Sequence, residues 1–341
     1  MGLWGRNGVV GLELDTGMLR AVEIRGNGRK PHVVAAGQLR VPEDAVSDGV
    51  VRDVDTVGKA LEKLWQKARL GSRRVVLGVF NQSVLMRMIT FPRLPQEKLR
   101  QALRLQAGEY LPIPVSQMVL DFAVVGETYV DDEPMTEVLL VAARKQQLET
   151  SLQALQYSRL TPVVVDASPL ALLRVLPPEK RQGTIAMVDL AMGMSSIVLA
   201  VDGMPRFARV LPVSLQQYLS GLGVQAAGDG EYSGLVAAAA ESGMAEDGHV
   251  RQWSSMVARE IRTSVSFYIR QEHLHEVDRV VLSGSGADVA GFAALLQEEL
   301  QLPVEVAVPQ AAVSVRRKMS ADLSQPEFAV SLGLALRGLE V

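Results

Sequence analysis

The chain contains no cysteine. That one absence excludes disulfides, thiolate metal sites and cysteine nucleophiles together. Histidine is scarce as well, with 4 in 341 residues, and His273 and His275 would diverge on a helix, so no zinc centre is expected. A basic excess is missing: 35 Lys and Arg stand against 38 Asp and Glu, a formal net charge of −3. Without a positive surface to neutralise phosphates, nucleic acid is not expected as a partner. Long apolar runs are lacking too. The longest stretch, residues 186–201, is broken by Asp189, Gly193, Ser195 and Ser196, so it reads as two strands and a turn and not as a bilayer span. Residues 1–6 have no apolar signal region, and Arg6 stands where a myristoylation signal carries Ser or Thr. These absences predict a cytoplasmic protein that reaches a membrane only through a partner. The short cluster Arg316-Arg317-Lys318 is read as a solvated face.

What is present is an ordinary globular composition, 48% hydrophobic and 21% charged, over a length that predicts two or more lobes. Residues 9–14 and 19–24 read as strands joined by a tight turn at 15–18, with a third strand over 31–39. Residues 42–53 read as a polar loop. Val57, Leu61, Leu64, Trp65 and Ala68 then mark an amphipathic helix before a buried strand at 74–80. Such a β-β-β-α-β opening predicts a mixed α/β sheet with a crossover helix.

Residues 80–114 start as a strand and continue through Leu99, Ala102, Leu103, Ala107 and Tyr110 at helical spacing, until Pro112 and Pro114 stop the helix. Strands at 119–126 and 136–143 and a helix through Leu148, Leu152 and Leu155 follow. Together 83–165 predicts a strand–helix–strand–strand–helix–strand insertion with its own sheet. From Thr184 the opening theme returns as three strands, 184–190, 195–202 and 205–211. Residues 222–246 are rich in Gly and Ala and read as a variable, helix-poor tip. A long helix through Trp253, Val257, Ile261, Val265 and Tyr268, a strand at 278–282, a helix at 289–300 and a strand at 303–308 complete this half. Phe328, Leu332 and Ala335 mark a closing helix that should return to the first lobe.

Two turns match. Glu13-Leu-Asp15-Thr16-Gly17-Met18 and Asp189-Leu-Ala191-Met192-Gly193-Met194 each follow an apolar strand, place a carboxylate four residues before Gly-Met, and lead into another strand. A glycine turn can gather backbone N–H groups into a nest for phosphate oxygens. A strand-end carboxylate can hold Mg²⁺ through water. Arg20, just past the first turn, could reach terminal phosphates. Each turn alone is no more than a β-hairpin; the pair at one offset is what points to a shared cleft. A third element, the strand 280–283 running into Gly284-Ser285-Gly286, permits close backbone approach to a ligand.

Asn81-Gln82-Ser83, the Arg87 strand, Phe91-Pro92, Leu99 with Ala102, Glu109-Tyr110, Pro112-Ile-Pro114, Leu120-Asp121-Phe122 and the run 138–144 ending in Arg144 occur in the order of one family. Over about residues 8–336 the chain resembles the PilM family, the actin-like inner-membrane platform proteins of type IV pilus assembly. The resemblance implies a two-lobed actin-like (ribonuclease H-like) ATPase fold with a small α/β subdomain inserted in the first lobe. Its expected layout is a first lobe at 8–82, the insertion at 83–165, interlobe segments at 166–183 and 320–341, and a second lobe at 184–319 with a variable part about 212–277. It implies ATP with Mg²⁺ between the lobes and at most weak hydrolysis. Thr16, Gly17, Met18, Arg20, Gly193, Met194 and Ser195 would meet the phosphates. Gly284, Ser285 and Gly286 would meet the adenosine and Glu260 the ribose, while Glu13 and Asp189 would hold the metal. It also implies a partner, the N-terminal cytoplasmic tail of PilN, docked in a groove between the first lobe and the insertion, and a peripheral place at the inner membrane.

The departures fall on the cleft. Glu13 stands for the family's Asp, Asp15 for a glycine beside the phosphates, Ala191 for another glycine, and Pro212-Val-Ser214 where a glycine is common. Asp15 adds negative charge where a triphosphate would lie. No positioned base for activating water is evident, and Asp166 reads as a helix cap. A sugar-kinase-like phosphotransferase would need such a base. An FtsA-like polymerising protein would carry a basic amphipathic extension that residues 332–341 lack, and a type II secretion platform protein would continue into a membrane span. A nucleotide-free scaffold is the remaining alternative.

Overall fold

The computed structural model describes residues 8–26, 30–223, 247–272, 276–315 and 322–340. The expected variable tip at 222–246, His273, His275, the basic cluster at 316–318 and residues 1–6 lie wholly or largely outside them.

Three strands open the first lobe: β1 (Val9–Asp15), β2 (Met18–Arg25) and β3 (His32–Arg40). The loop expected at 42–53 instead contains a small hairpin, β4 (Val46–Ser47) with β5 (Val50–Val51), whose valines at 46, 50 and 51 are buried. Buried apolar side chains, invisible to a count of polar residues, explain the difference. Helix α1 (Val54–Lys67) starts where the Asp53 side chain accepts Thr56 N–H at 3.0 Å, satisfying one of the orphan first-turn donors. It buries Val57, Leu61, Leu64 and Trp65, each contributing about 1.5–3 kcal/mol. It then crosses over so that β6 (Arg74–Val79) runs parallel to β1.

The insertion follows as β7 (Leu85–Pro92), α2 (Gln96–Tyr110), β8 (Met118–Val130) and β9 (Glu133–Arg144). Its sheet has the order β7-β9-β8 and its own core around Ile89, Phe91, Leu99, Leu103 and Val138. Here the sequence-based boundary at 165 needs correction. Helix α3 (Lys145–Tyr157) buries Ala154 and Leu155 in the first-lobe core, and β10 (Thr161–Ala167) pairs parallel with β6. The apolar face of α3 has its complement on α1, where Gly58 meets the Tyr157 ring.

After α4 (Ser168–Leu172), the second lobe repeats the theme. It runs β11 (Thr184–Asp189), β12 (Ser195–Val201), β13 (Met204–Leu211), α5 (Leu215–Gly221), α6 (Asp247–Glu272), β14 (Arg279–Ser283), α7 (Phe292–Leu300) and β15 (Val304–Val306). A reciprocal capping box between Ser214 and Gln217 opens α5. The two sheets read β10-β6-β1-β2-β3 and β13-β12-β11-β14-β15, the same strand order in each lobe. One further strand, β16 (Ser314–Val315), joins β3 of the first sheet, so the expected second lobe at 184–319 gives up its last part to the first.

The closing helix, α8 (Ala329–Arg337), lies in the joint between the lobes. One buried cluster there unites Val9, Val22 and Val76 of the first sheet with Ile185, Met187 and Val281 of the second, around Phe328, Leu332 and Ala335. A Cβ on Gly11 would overlap the Ser331 carbonyl and the Ala335 N–H, so only glycine lets α8 rest directly on β1.

Candidate functional site

The ends of β1, β11 and β14 converge where the lobes meet. The turn Thr16-Gly17 after β1 needs the left-handed conformation at Gly17, with φ +67°. Its backbone donors are already engaged within the first lobe, Gly17 N–H with Val46 O at 3.3 Å and Thr16 N–H with Asp15 Oδ1 at 2.7 Å, and Thr16 Oγ1 accepts Asp48 N–H at 3.0 Å. Met18 is buried in the core of the second lobe.

Asp15 crosses to the other lobe. Its Oδ2 accepts Met192 N–H at 3.1 Å, and its Oδ1 accepts Gly193 N–H at 3.3 Å and Thr16 N–H at 2.7 Å. Thr16 packs so closely on the second turn that a Cβ on Gly193 would overlap its Oγ1. Met194 borders the same place, and Ser195 is fully buried with no hydrogen-bond partner for its Oγ among the described residues.

Arg20 is the hub. Its guanidinium lies 3.6 Å from Glu13, 3.4 Å from Asp15 and 3.7 Å from Glu327. It also donates to Ser285 Oγ at 2.8 Å and to Gln38 Oε1 at 3.3 Å. Ser285 donates on to Glu327 Oε2 at 3.1 Å, and Gln38 Nε2 donates to Glu327 Oε1 at 2.8 Å. The ring of contacts ties β2 and β3 to the turn after β14 and to the segment leading into α8. Burial works against the charged guanidinium, but Glu13, Glu327, Asp15 and Asp189 outweigh it and hold the pKa of Arg20 above its ordinary value.

Glu13 and Asp189 face a cavity of about 30 Å³, room for a water or two. Burial pushes Glu13 well above the usual carboxylate range, with Arg20 opposing and Asp189 adding to the shift, and Glu13 Oε2 has no hydrogen-bond partner among the described residues. Asp189 rises to about 6, chiefly by burial, against a 2.8 Å hydrogen bond from Ser283. A raised acid favours the folded state fully below its unfolded pKa, near 3.8, and loses that contribution as pH climbs through about 6. Asp189→Asn should therefore raise stability at pH 8 by up to roughly 3 kcal/mol, at 1.36 kcal/mol per unit. It should leave stability at pH 4 little changed, flattening the pH dependence of thermal melting. An unchanged slope between pH 4 and 6 would mean that Asp189 is solvated.

The turn Gly284-Ser285-Gly286 is covered. Gly284 N–H donates to Pro326 O at 3.1 Å and Gly286 N–H to Leu190 O at 2.9 Å, while a Cβ on Gly286 would press on Leu190 and Trp253. Glu260 is not brought to this cleft; it pairs with Arg209 of β13 at 3.0 Å. Asp166 caps no helix but pairs with Arg174 at 2.7 Å, and Ala167 occupies the cap.

These residues do not fit the cofactors that the sequence implied. Ligand pockets run to roughly 300 Å³ and more, and the N–H groups of Met192 and Gly193 are taken by Asp15. Mg²⁺ keeps several waters and is held by one or two carboxylates together with phosphates, and the space beside Glu13 and Asp189, about 30 Å³, does not admit that assembly. Arg20 supplies the counter-charge instead. Sequence reasoning missed Glu327 and Gln38. The one signal for Glu327 was a carboxylate standing immediately before the apolar run 328–336, which reads as helix-end charge.

A second concavity, about 420 Å³, runs between β7 and β13. Its walls are Val84, Met86 and Met88 on one side and Phe207, Val210 and Phe267 on the other. Both strands are sheet edges on that side. Arg206 of β13 pairs with Glu137 of the insertion beside it.

Residues 11–339 match the family described as type IV pilus assembly protein PilM. Among solved structures, the chain aligns with one of the PilM–PilN type IV pilus biogenesis complex at 30% identity and a TM-score of 0.82, covering 98% of this chain and 99% of that one. Remoter likenesses are the ethanolamine utilization protein EutJ from Carboxydothermus hydrogenoformans (15% identity, TM-score 0.47, 96% and 88% covered) and MreB 5 of Spiroplasma citri bound to AMPPNP (10%, 0.48, 96% and 95%). Among the described residues, no helix is long and apolar enough to cross a membrane. With the repeated strand order of its two lobes and an insertion between β6 and β10, the chain belongs to the PilM family of type IV pilus assembly proteins.

Proposed function

We propose that this chain is a cytoplasmic scaffold of the pilus assembly platform, held at the inner membrane by the N-terminal tail of PilN lying against its inserted subdomain. The likeness that carries the reading is the near-complete alignment, insertion included, with a protein solved as a PilM–PilN complex. The groove between β7 and β13 suits an extended apolar segment. Both walls are strand edges, so a peptide could add main-chain hydrogen bonds to either and bury side chains against Met86, Met88 and Phe207. It borders the linker Gln82–Val84 from the first lobe, the insertion and the second lobe.

Titrating a peptide of the first dozen or so PilN residues tests the reading. A 1:1 complex is expected, and Met88→Glu should weaken it about tenfold or more by placing an unpaired charge in an apolar wall. The melting temperature of Met88→Glu should hardly move, because Met88 is only half buried. The purified protein should ignore plain liposomes and bind those displaying the tail. Tail affinity indifferent to Met88→Glu would place the tail elsewhere.

A further inference from the structure

We infer that the interlobe cleft is closed by the protein's own groups: the Asp15 carboxylate takes the position of a phosphate anion in the second turn, and the lobes stay latched without a nucleotide. The inference stands on the cleft alone and not on how the tail of PilN docks.

The geometry is that of a ligand built into the chain. A planar anion with two oxygens accepts N–H groups from consecutive residues, Met192 and Gly193, at 3.1 and 3.3 Å. Backbone nests bind phosphate through such successive N–H groups. Here the anion arrives from the opposite lobe, so every such bond also holds the lobes together. The cation that would meet terminal phosphates, Arg20, is spent in the same way. Its donors go to Ser285 of the second lobe and to Gln38 of the first, and its charge is shared among Glu13, Asp15 and Glu327.

Three other contacts close the space between. Thr16 fills the volume beside Gly193, Met18 inserts into the second-lobe core, and the amides of Gly284 and Gly286 are tied to Pro326 and Leu190. A nucleotide would have to displace all of them and bring its own charge beside Asp15, Glu13 and Glu327. Glycine at position 15 would leave the nest open; aspartate fills it. The position therefore decides between a cleft that takes an anion from solution and one that supplies its own.

Hydrogen exchange at Met192 and Gly193 in the full chain, with and without ligands, tests this. In the wild type both amides should be protected, and 5 mM Mg-ATP should change neither protection nor heat in calorimetry. Asp15→Gly should lower protection by about tenfold or more, the order expected for losing a charge-assisted bond. Added formate or inorganic phosphate at 100 mM should restore it in the variant while leaving the wild type unaffected. Should Asp15→Gly fold poorly, Asp15→Asn keeps the shape and one acceptor oxygen, and should show a smaller loss without gaining rescue by formate. Micromolar Mg-ATP binding by the wild type would overturn the inference. So would unchanged amide protection in both variants. The PilN-peptide titration on Asp15→Gly separates the two proposals, since tail binding should persist there.

Discussion

Arg20→Met is expected to remove about 3–5 kcal/mol of stability, the cost of stranding buried charged partners. The side chain is 2% exposed and keeps its apolar stem in the substitution, so packing loss is small. What goes is the positive charge facing Glu13, Asp15 and Glu327, together with donors to Ser285 and Gln38. Denaturant unfolding at pH 8 reads the loss. It should shrink at pH 5, where Asp189, raised to about 6 chiefly by burial, takes up a proton and no longer needs the cation. Arg20→Lys should recover only part of the loss, because an ammonium cannot span the separate acceptors that a guanidinium fork reaches. A change below about 1 kcal/mol, typical of exposed pairs, would show that water enters the cluster.

Phe328→Ala should be comparably severe, about 3–5 kcal/mol for a large side chain deleted from a tight core. Phe328 is 1% exposed, and its cluster contains residues of both sheets as well as α8. The damage therefore falls on the joint, and calorimetry should resolve two transitions where the wild type shows one. Retention of a single transition with a small shift would mean that the lobes cohere chiefly through the Arg20 ring.

Strands β1, β2 and β6 and helix α1 could be read from the sequence because period and punctuation agree there: continuous apolar runs in the strands, a tight Gly turn, and helical spacing from Val57 to Ala68. The wrong boundary of the insertion arose because α3 and β10 look locally like the elements before them. Only partner choice, α1 and β6, assigns them to the first lobe. Likewise β16 is two residues long and carries no pattern of its own. At the cleft, the sequence located the two hairpin turns, Arg20, and the odd charge at Asp15. It could not show that Asp15 bonds across the gap to Met192 and Gly193, since that depends on how closely two separately folded lobes approach. Glu327 and Gln38 were hidden for the same reason, since the bond between them joins residues 289 positions apart. Glu260 was placed by likeness, and its partner Arg209 comes from a neighbouring strand that helical spacing does not reveal.

The seat of α8 on β1 has a consequence in time. Gly11 and Ser331 touch, yet a ribosome makes one long before the other. Until α8 has emerged, the first sheet offers bare valines at 9, 22 and 76 on the face that α8 will cover. The insertion waits for nothing: β7 through β9 is one continuous segment with its own core, and can settle while synthesis goes on. The first lobe is thus begun first and finished last, and during that interval its uncovered face is the stretch a chaperone would grip.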